Sequence, residues 1–335
     1  MQEQTELEKA VIADIKAIAN TLYSVRSDQG LRLLAEATDK IPLASFDEWE
    51  SVIRYTYGNT ANPTLNLGSF FGGKPPQGQL WLELISWNGR QREKALKRLS
   101  SPAPNSLFFI LALRRLNDWV PQVRAAARDI LPQIAKQSSP EHVTDAIRVT
   151  LPNLSSWGRI EKVDKDVLFE IIQTPAISKP LTQQLISLSS GPMSFLMSQV
   201  SRTTVLDDQL FEIAQTAIQP SVRARAYRYL FEKRAVWLEA RKFEWTDIRY
   251  LKGKVKPILG ERPIDHEIPF NTLLNHSTND SSSIVRRVAA EFFIKEMKSL
   301  GEEVYSLAHN FANDKSKAVS ERGHFALRRL NGEIE

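Results

Sequence analysis

Eleven cationic side chains crowd residues 223–256: Arg223, Arg225, Arg228, Lys233, Arg234, Arg241, Lys242, Arg249, Lys252, Lys254 and Lys256. Four carboxylates oppose them (Glu232, Glu239, Glu244 and Asp247), so this segment alone carries +7 in a chain whose net charge is +5. Seven aromatic residues are interleaved: Tyr227, Tyr229, Phe231, Trp237, Phe243, Trp245 and Tyr250. Cations attract phosphates and release their counterions, and aromatic faces stack on unpaired bases. The same surface also suits an acidic protein. Helix periodicity puts Val222, Ala226, Tyr229 and Leu230 on one stripe, which predicts that Arg225 and Arg228 reach solvent. Arg241, Lys242, Lys252, Lys254, Lys256 and Trp245 complete the candidate binding set.

Catalytic signatures are poor elsewhere. The five histidines, His142, His266, His276, His309 and His324, never pair at the spacing that places two ligands on one helix face, so no metal site is expected. The chain has no cysteine, which excludes disulfides, thiolate metal sites and a cysteine nucleophile. No nucleophile elbow or dinucleotide fingerprint occurs, and Gly72, Gly73 and Lys74 lack the spacing of a phosphate loop. No cofactor is expected. No apolar run reaches membrane-spanning length, and the acidic MQEQTELEKAVIADIK start is unlike a signal peptide. The expected location is the cytoplasm.

The elements that position the basic segment read as helices almost throughout, and no major sheet is expected. Leu7, Val11, Ile15, Ile18 and Leu22 form one stripe of a first helix, which Gly30 should end or kink. Ser45 and Glu48 have the spacing of a capping box ahead of Phe46, Trp49, Val52, Ile53 and Tyr57. Residues 58–79 hold five glycines and three prolines and predict a long loop, presenting Phe70 and Phe71, between an N-terminal helical cap (1–57) and the rest. Residues 235–269, also broken by glycine and proline, predict an irregular excursion from the helices. The segment LFFILAL (107–113) is apolar nearly all round, as a helix covered on several sides would be.

A repeat runs from residue 80 onward. In LRRLNDWVPQVRAAARDIL (113–131) a helix ends near Leu116, a turn follows at Asn117–Asp118, and Pro121 opens a second helix burying Val123, Ala126, Ala127 and Ile130. Asp118, Pro121, Val123, Arg124 and Ala127 resemble the HEAT repeat. Weaker copies keep Pro220, Val222, Arg223 and Ala226; Asp280, Val285, Arg286 and Ala289; Asp314 and Val319; and Arg92 and Ala95. The Arg positions 92, 124, 223, 286 and 320 (the last a serine) are spaced by near-multiples of roughly 33 residues. The resemblance implies an all-α, right-handed α-solenoid over 80–335, with degenerate units in 140–205. It also implies that Asp118, Arg124, Arg223, Asp280, Arg286 and Asp314 belong to a structural ladder between adjacent repeats.

Such stacks bury apolar faces between neighbours and leave extended surfaces for partners. The expected function is therefore a non-catalytic scaffold or adaptor holding a protein partner, with nucleic-acid binding in DNA maintenance or defence as the alternative. Some HEAT-like bacterial proteins are DNA glycosylases that use an aspartate beside tryptophans. Trp245 and Asp247 offer those residue types, but not that family's characteristic segment.

Overall fold

The computed structural model describes residues 5–21, 27–60, 76–301 and 303–334. It is mostly helical, at 70% helix. Contacts divide the chain after Leu181 into two units.

The first unit opens with α1 (Glu6–Thr21), α2 (Ser27–Thr38) and α3 (Phe46–Thr60). Val11, Ile15 and Ile18 of α1 and Phe46, Trp49, Ile53 and Tyr57 of α3 are buried, as the stripes predict. Two local expectations fail. Gly30 lies in the opening turns of α2 rather than ending a helix. The Ser45 hydroxyl donates back to the Pro42 carbonyl at 3.2 Å, because Ser45 closes a short 3-10 turn before α3 begins. Most of the predicted 58–79 loop, with Phe70 and Phe71, lies outside the described residues; its first residues finish α3 and its last open α4.

Three helix pairs follow: α4 (Gln77–Glu83) with α5 (Gly89–Arg98), α6 (Ser106–Leu113) with α7 (Pro121–Gln137), and α8 (Pro140–Thr150) with α9 (Lys162–Gln173). Second helices α5, α7 and α9 pack in series, and α6 packs on α8. Residues Leu107 to Leu113 of α6 are all buried, because neighbours cover every side of this helix. A capping box does form at α9, where Glu161 and Asp164 exchange hydrogen bonds with each other's backbone. Then α10 (Pro175–Ser187) crosses the boundary between the units.

The second unit holds α11 (Met193–Val200) and the pairs α12 (Leu210–Thr216) with α13 (Pro220–Glu232), α14 (Phe270–Thr278) with α15 (Ser283–Glu296), and α16 (Val304–Ala312) with α17 (Lys317–Leu330). Again the second helices α11, α13, α15 and α17 pack in series. Leu274, Ala289, Phe293, Phe311, Val319 and Ala326 join in one buried cluster.

One departure from the helical pattern corrects the sequence reading. Most of residues 235–269 is not irregular; the stretch 264–269 carries no regular structure. β1 (Arg234–Asp247) and β2 (Lys252–Pro263) form a long antiparallel hairpin. A β-bulge between Leu238 and Ala240 shifts the register, so the alternation of side chains breaks at Glu239 and escapes a search for an unbroken period of two.

The same ion-pair arrangement recurs at three junctions. Arg92 of α5 grips Asp118 with two bonds, of 2.9 and 2.7 Å. Arg223 of α13 grips Asp280 with two of 2.8 Å, and Arg286 of α15 grips Asp314 with 2.6 and 3.0 Å. Each arginine also donates to the carbonyls six and five residues before it: Ser86 and Trp87, Ala217 and Ile218, Asp280 and Ser281. Each aspartate accepts the amide two residues on, from Val120, Ser282 or Ser316.

Arg124 departs from this form. It reaches Glu161 at 2.6 Å and lies 3.8 Å from the buried Asp164, which Arg128 also binds at 2.5 Å. Where Ala217 stands in the aspartate position, the preceding second helix, α11 (MSFLMSQV), carries no arginine, so both halves of the pair are absent together.

The two arrangements predict unequal costs. Arg223→Ala strands a nearly buried carboxylate and two carbonyls, and should destabilise by about 3 kcal/mol. Arg124→Ala leaves Asp164 with Arg128 and should cost about 1–2 kcal/mol. Urea unfolding followed by helix circular dichroism checks both; equal losses would contradict this asymmetry.

Candidate functional site

The basic segment divides between α13 and the hairpin that follows it. Helix α13 ends at Lys233, whose left-handed backbone (φ 50°) turns the chain out of the helix. The Ile264 amide closes the base of the hairpin on the Lys233 carbonyl at 2.9 Å. Around this root the bonds are dense. The Tyr229 hydroxyl donates to the Val236 carbonyl at 2.5 Å, and burial pushes that phenol above its usual range. Gln199 and Arg202 both donate to the Leu238 carbonyl, at 3.1 and 3.0 Å. Arg262 binds the Ser201 carbonyl at 2.7 Å and Asp207 at 2.6 and 2.8 Å. The hairpin therefore leaves the helices at a direction set by its own root.

Beyond Ala240 the hairpin is exposed and two-faced. Cross-strand partners share a face, so the register places Arg241 and Pro257, Phe243 and Val255, and Trp245 and Gly253 on one side. The other side carries Lys242 with Lys256 and Glu244 with Lys254. Phe243 and Trp245 meet edge to face, their centroids 4.8 Å apart. Glycine is required opposite the aromatic rings: a Cβ on Gly253 would lie 2.2 Å from the Phe243 ring, and one on Gly260 2.4 Å from Trp237. At the tip, Ile248, Tyr250 and Leu251 are exposed, Leu251 at 77% and in the left-handed region (φ 52°).

Few of the tip's cations are engaged. Lys256 pairs with Glu244 at 2.6 Å, and Arg249 with Asp247 at 3.4 Å. Lys252 lies 5.8 Å from the Tyr250 ring centroid. Arg241, Lys242 and Lys254 are exposed and make no ion pair among the described residues. Asp247 also accepts the Arg249 amide at 3.0 Å, so this carboxylate shapes the turn beside Trp245.

Arg225 and Arg228 do not stand in open solvent as helix periodicity predicts. Both are half-buried, because α11 and α15 flank α13 on either side. Arg225 donates to the Ser194 hydroxyl at 2.8 Å. Arg228 grips Glu291 with bonds of 3.0 and 2.6 Å. Together with Tyr229, Arg234, Trp237 and Arg287 they line a groove of about 500 Å³ at the hairpin root. Arg234 and Trp237 sit near the start of β1, Arg287 on α15.

The sequence reading named Trp237 only among the interleaved aromatics and missed the groove's Arg287 and the apolar tip residues Ile248 and Leu251. The alternating RKFEW (241–245) and GKVKP (253–257), each next to a glycine or a turn, is the signal that could have revealed the hairpin. Among the described residues no helix is long and apolar enough to cross a membrane. No family model, curated protein or solved structure matches this chain.

The Arg228 hydrogen bonds hold the Glu291 carboxyl down, from the usual 4.5 to about 2. A depressed carboxylate contributes stability above its unfolded pKa and loses it as pH falls toward the folded one. The stability difference between the wild type and Glu291→Gln should therefore be full at neutral pH. It should close as pH falls from about 4.5 to about 2, the window between the unfolded and folded values, as paired thermal melts would show.

Proposed function

We propose that the protein is a non-catalytic binding scaffold, a right-handed α-solenoid of HEAT-like helix pairs behind an N-terminal helical cap, and that its hairpin engages nucleic acid. The recurrence of one Arg–Asp–carbonyl arrangement at equivalent turns supports the repeat reading. A single observation carries the binding reading. The hairpin projects unpaired Arg241, Lys242 and Lys254 together with exposed Phe243, Trp245 and Tyr250, on a ribbon anchored only at its root.

The physics suits that partner. A two-stranded ribbon has the width to enter a major groove. Exposed aromatic and aliphatic tips stack on unpaired bases or wedge between base steps. The two carboxylates near the tip, Glu244 and Asp247, are each occupied by a neighbouring cation, so they oppose a phosphate backbone weakly. An acidic protein partner is the second reading. Its support is the apolar side of the ribbon, where Phe243, Val255 and Pro257 would pack against another chain.

Electrophoretic mobility shifts with duplex and single strands, across 50–200 mM salt, test this assignment. Binding should weaken as salt rises, and each phosphate contact removed should flatten the log–log slope by about 0.7–0.9. Reversing Arg241, Lys242 and Lys254 to Glu together should abolish binding while the helix signal and melting temperature hold, since these side chains are exposed on the ribbon and make no ion pair among the described residues. Wild type showing no salt-sensitive binding removes the nucleic-acid reading and leaves the apolar side of the ribbon to a protein.

A further inference from the structure

A second site lies in the first unit, where the repeated arginine arrangement has a side effect. Each such arginine takes the carbonyl five residues before it, so the side chain at that position turns outward. In the second unit these positions hold Ile218, 54% exposed, and the exposed Ser281. In the first unit Trp87 holds this position before Arg92, and Trp119 stands at the matching place before Arg124, which takes only the Asp118 carbonyl, at 3.0 Å; the two are 72% and 76% exposed. A tryptophan there gains little from the core, and two together form an apolar surface that calls for an occupant.

The surroundings define that occupant's chemistry. The Arg54 guanidinium lies over the Trp87 ring, 4.8 Å from its centroid, and that of Arg159 lies over Trp119 at 3.0 Å. The Arg159 backbone is held by the Asn117 side chain at 2.9 Å, while its guanidinium makes no hydrogen bond or ion pair among the described residues. Trp87 and Trp119 border a cleft of about 510 Å³. Arg54, Arg92, Arg114, Arg115 and Arg159 line it, against the carboxylates Glu50 and Asp118.

Those carboxylates are spent. Asp118 accepts two bonds from Arg92, one from Arg115 and one from the Val120 amide. Burial alone would raise its pKa, but these donors hold it below the usual range. Glu50 is gripped by Arg54, Arg114 and Arg115. The cleft therefore presents two indoles, each with a guanidinium over one face, and a net cationic wall, and the Arg159 guanidinium at its mouth keeps its N–H donors without a hydrogen-bond partner among the described residues. Its volume falls in the range of small-ligand sites.

We propose that this cleft binds a nucleobase-bearing phosphate, either a free nucleotide or an unpaired nucleotide of a single strand, with the base on an indole and the phosphate on Arg159. The assignment stands apart from that of the hairpin.

Tryptophan emission of the full chain, titrated with AMP, adenosine, inorganic phosphate and a short oligo-dA strand, tests it. AMP should quench, with adenosine and phosphate about tenfold weaker, since each supplies half of the recognition. Trp119→Ala and Arg159→Ala, both at surface positions, should each raise the AMP dissociation constant about tenfold with an unchanged melting temperature. The Arg241, Lys242, Lys254 reversal should leave AMP binding as in wild type. Oligo-dA binding much tighter than AMP identifies a strand as the ligand; equal affinity identifies a free nucleotide. The proposal is overturned by absence of quenching with both AMP and oligo-dA. Unchanged affinity in both cleft variants, or loss of AMP binding in the hairpin variant, overturns it equally.

Discussion

The pairing of a second-helix arginine with an aspartate in the inter-helix turn of the next pair is the interaction that aligns neighbouring pairs in both units. Removing a guanidinium and a carboxylate from water is expensive, and their attraction offsets that cost only when every donor and acceptor is used. Here they are. At the Arg223–Asp280 junction the guanidinium makes two bonds to the carboxylate and two to carbonyls of its own turn. The carboxylate also orders the next turn by accepting the Ser282 amide. One pair thus joins two turns and a helix. Such a device contributes registry more than net stability, because misaligned neighbouring pairs would leave both charges stranded.

That registry has consequences at the surface. Fixing the carbonyl five residues before each arginine also fixes which side chain faces outward. Whether the outward residue is tryptophan, isoleucine or serine makes no difference to the core, so this position is free to carry recognition. Trp87 uses it, and Trp119 occupies the matching place before Arg124. The arginines that stack on them, Arg54 and Arg159, come from other elements, so the cleft is assembled only when the pairs are in register.

The hairpin answers to a different constraint. It has only two strands, and an isolated two-stranded ribbon is marginal in water. Its root replaces the missing strands with hydrogen bonds from Gln199, Arg202, Arg262 and Tyr229. Its outer half has no such support and relies on cross-strand packing of Phe243 over Gly253. A firm base and a lightly held tip suit a segment that must adapt to a partner while keeping its direction.

What local sequence determined is what local physics controls. The stripes of α1 and α3, the all-round burial of α6 and the proline at the start of α7 follow from periodicity and turn chemistry within a few residues, while the aspartate and arginine positions are implied by the resemblance to the HEAT repeat. Tertiary structure decided the rest. The Glu239 bulge hides the alternation of β1, so the strands become visible only once β2 sets the register. Arg225 and Arg228 sit on the polar side of α13 by periodicity, yet the flanking helices α11 and α15 enclose that side and turn it into a groove. Arg124, in the fullest copy of the local motif, meets Glu161 and Asp164 because the following pair supplies its carboxylates from a helix start rather than from a turn aspartate. Trp119 reads locally as a turn residue beside Asp118, and only the approach of Arg159 from forty residues away makes it part of a cationic cleft. In each case the deciding partner lies far along the chain, where no short-range pattern records it.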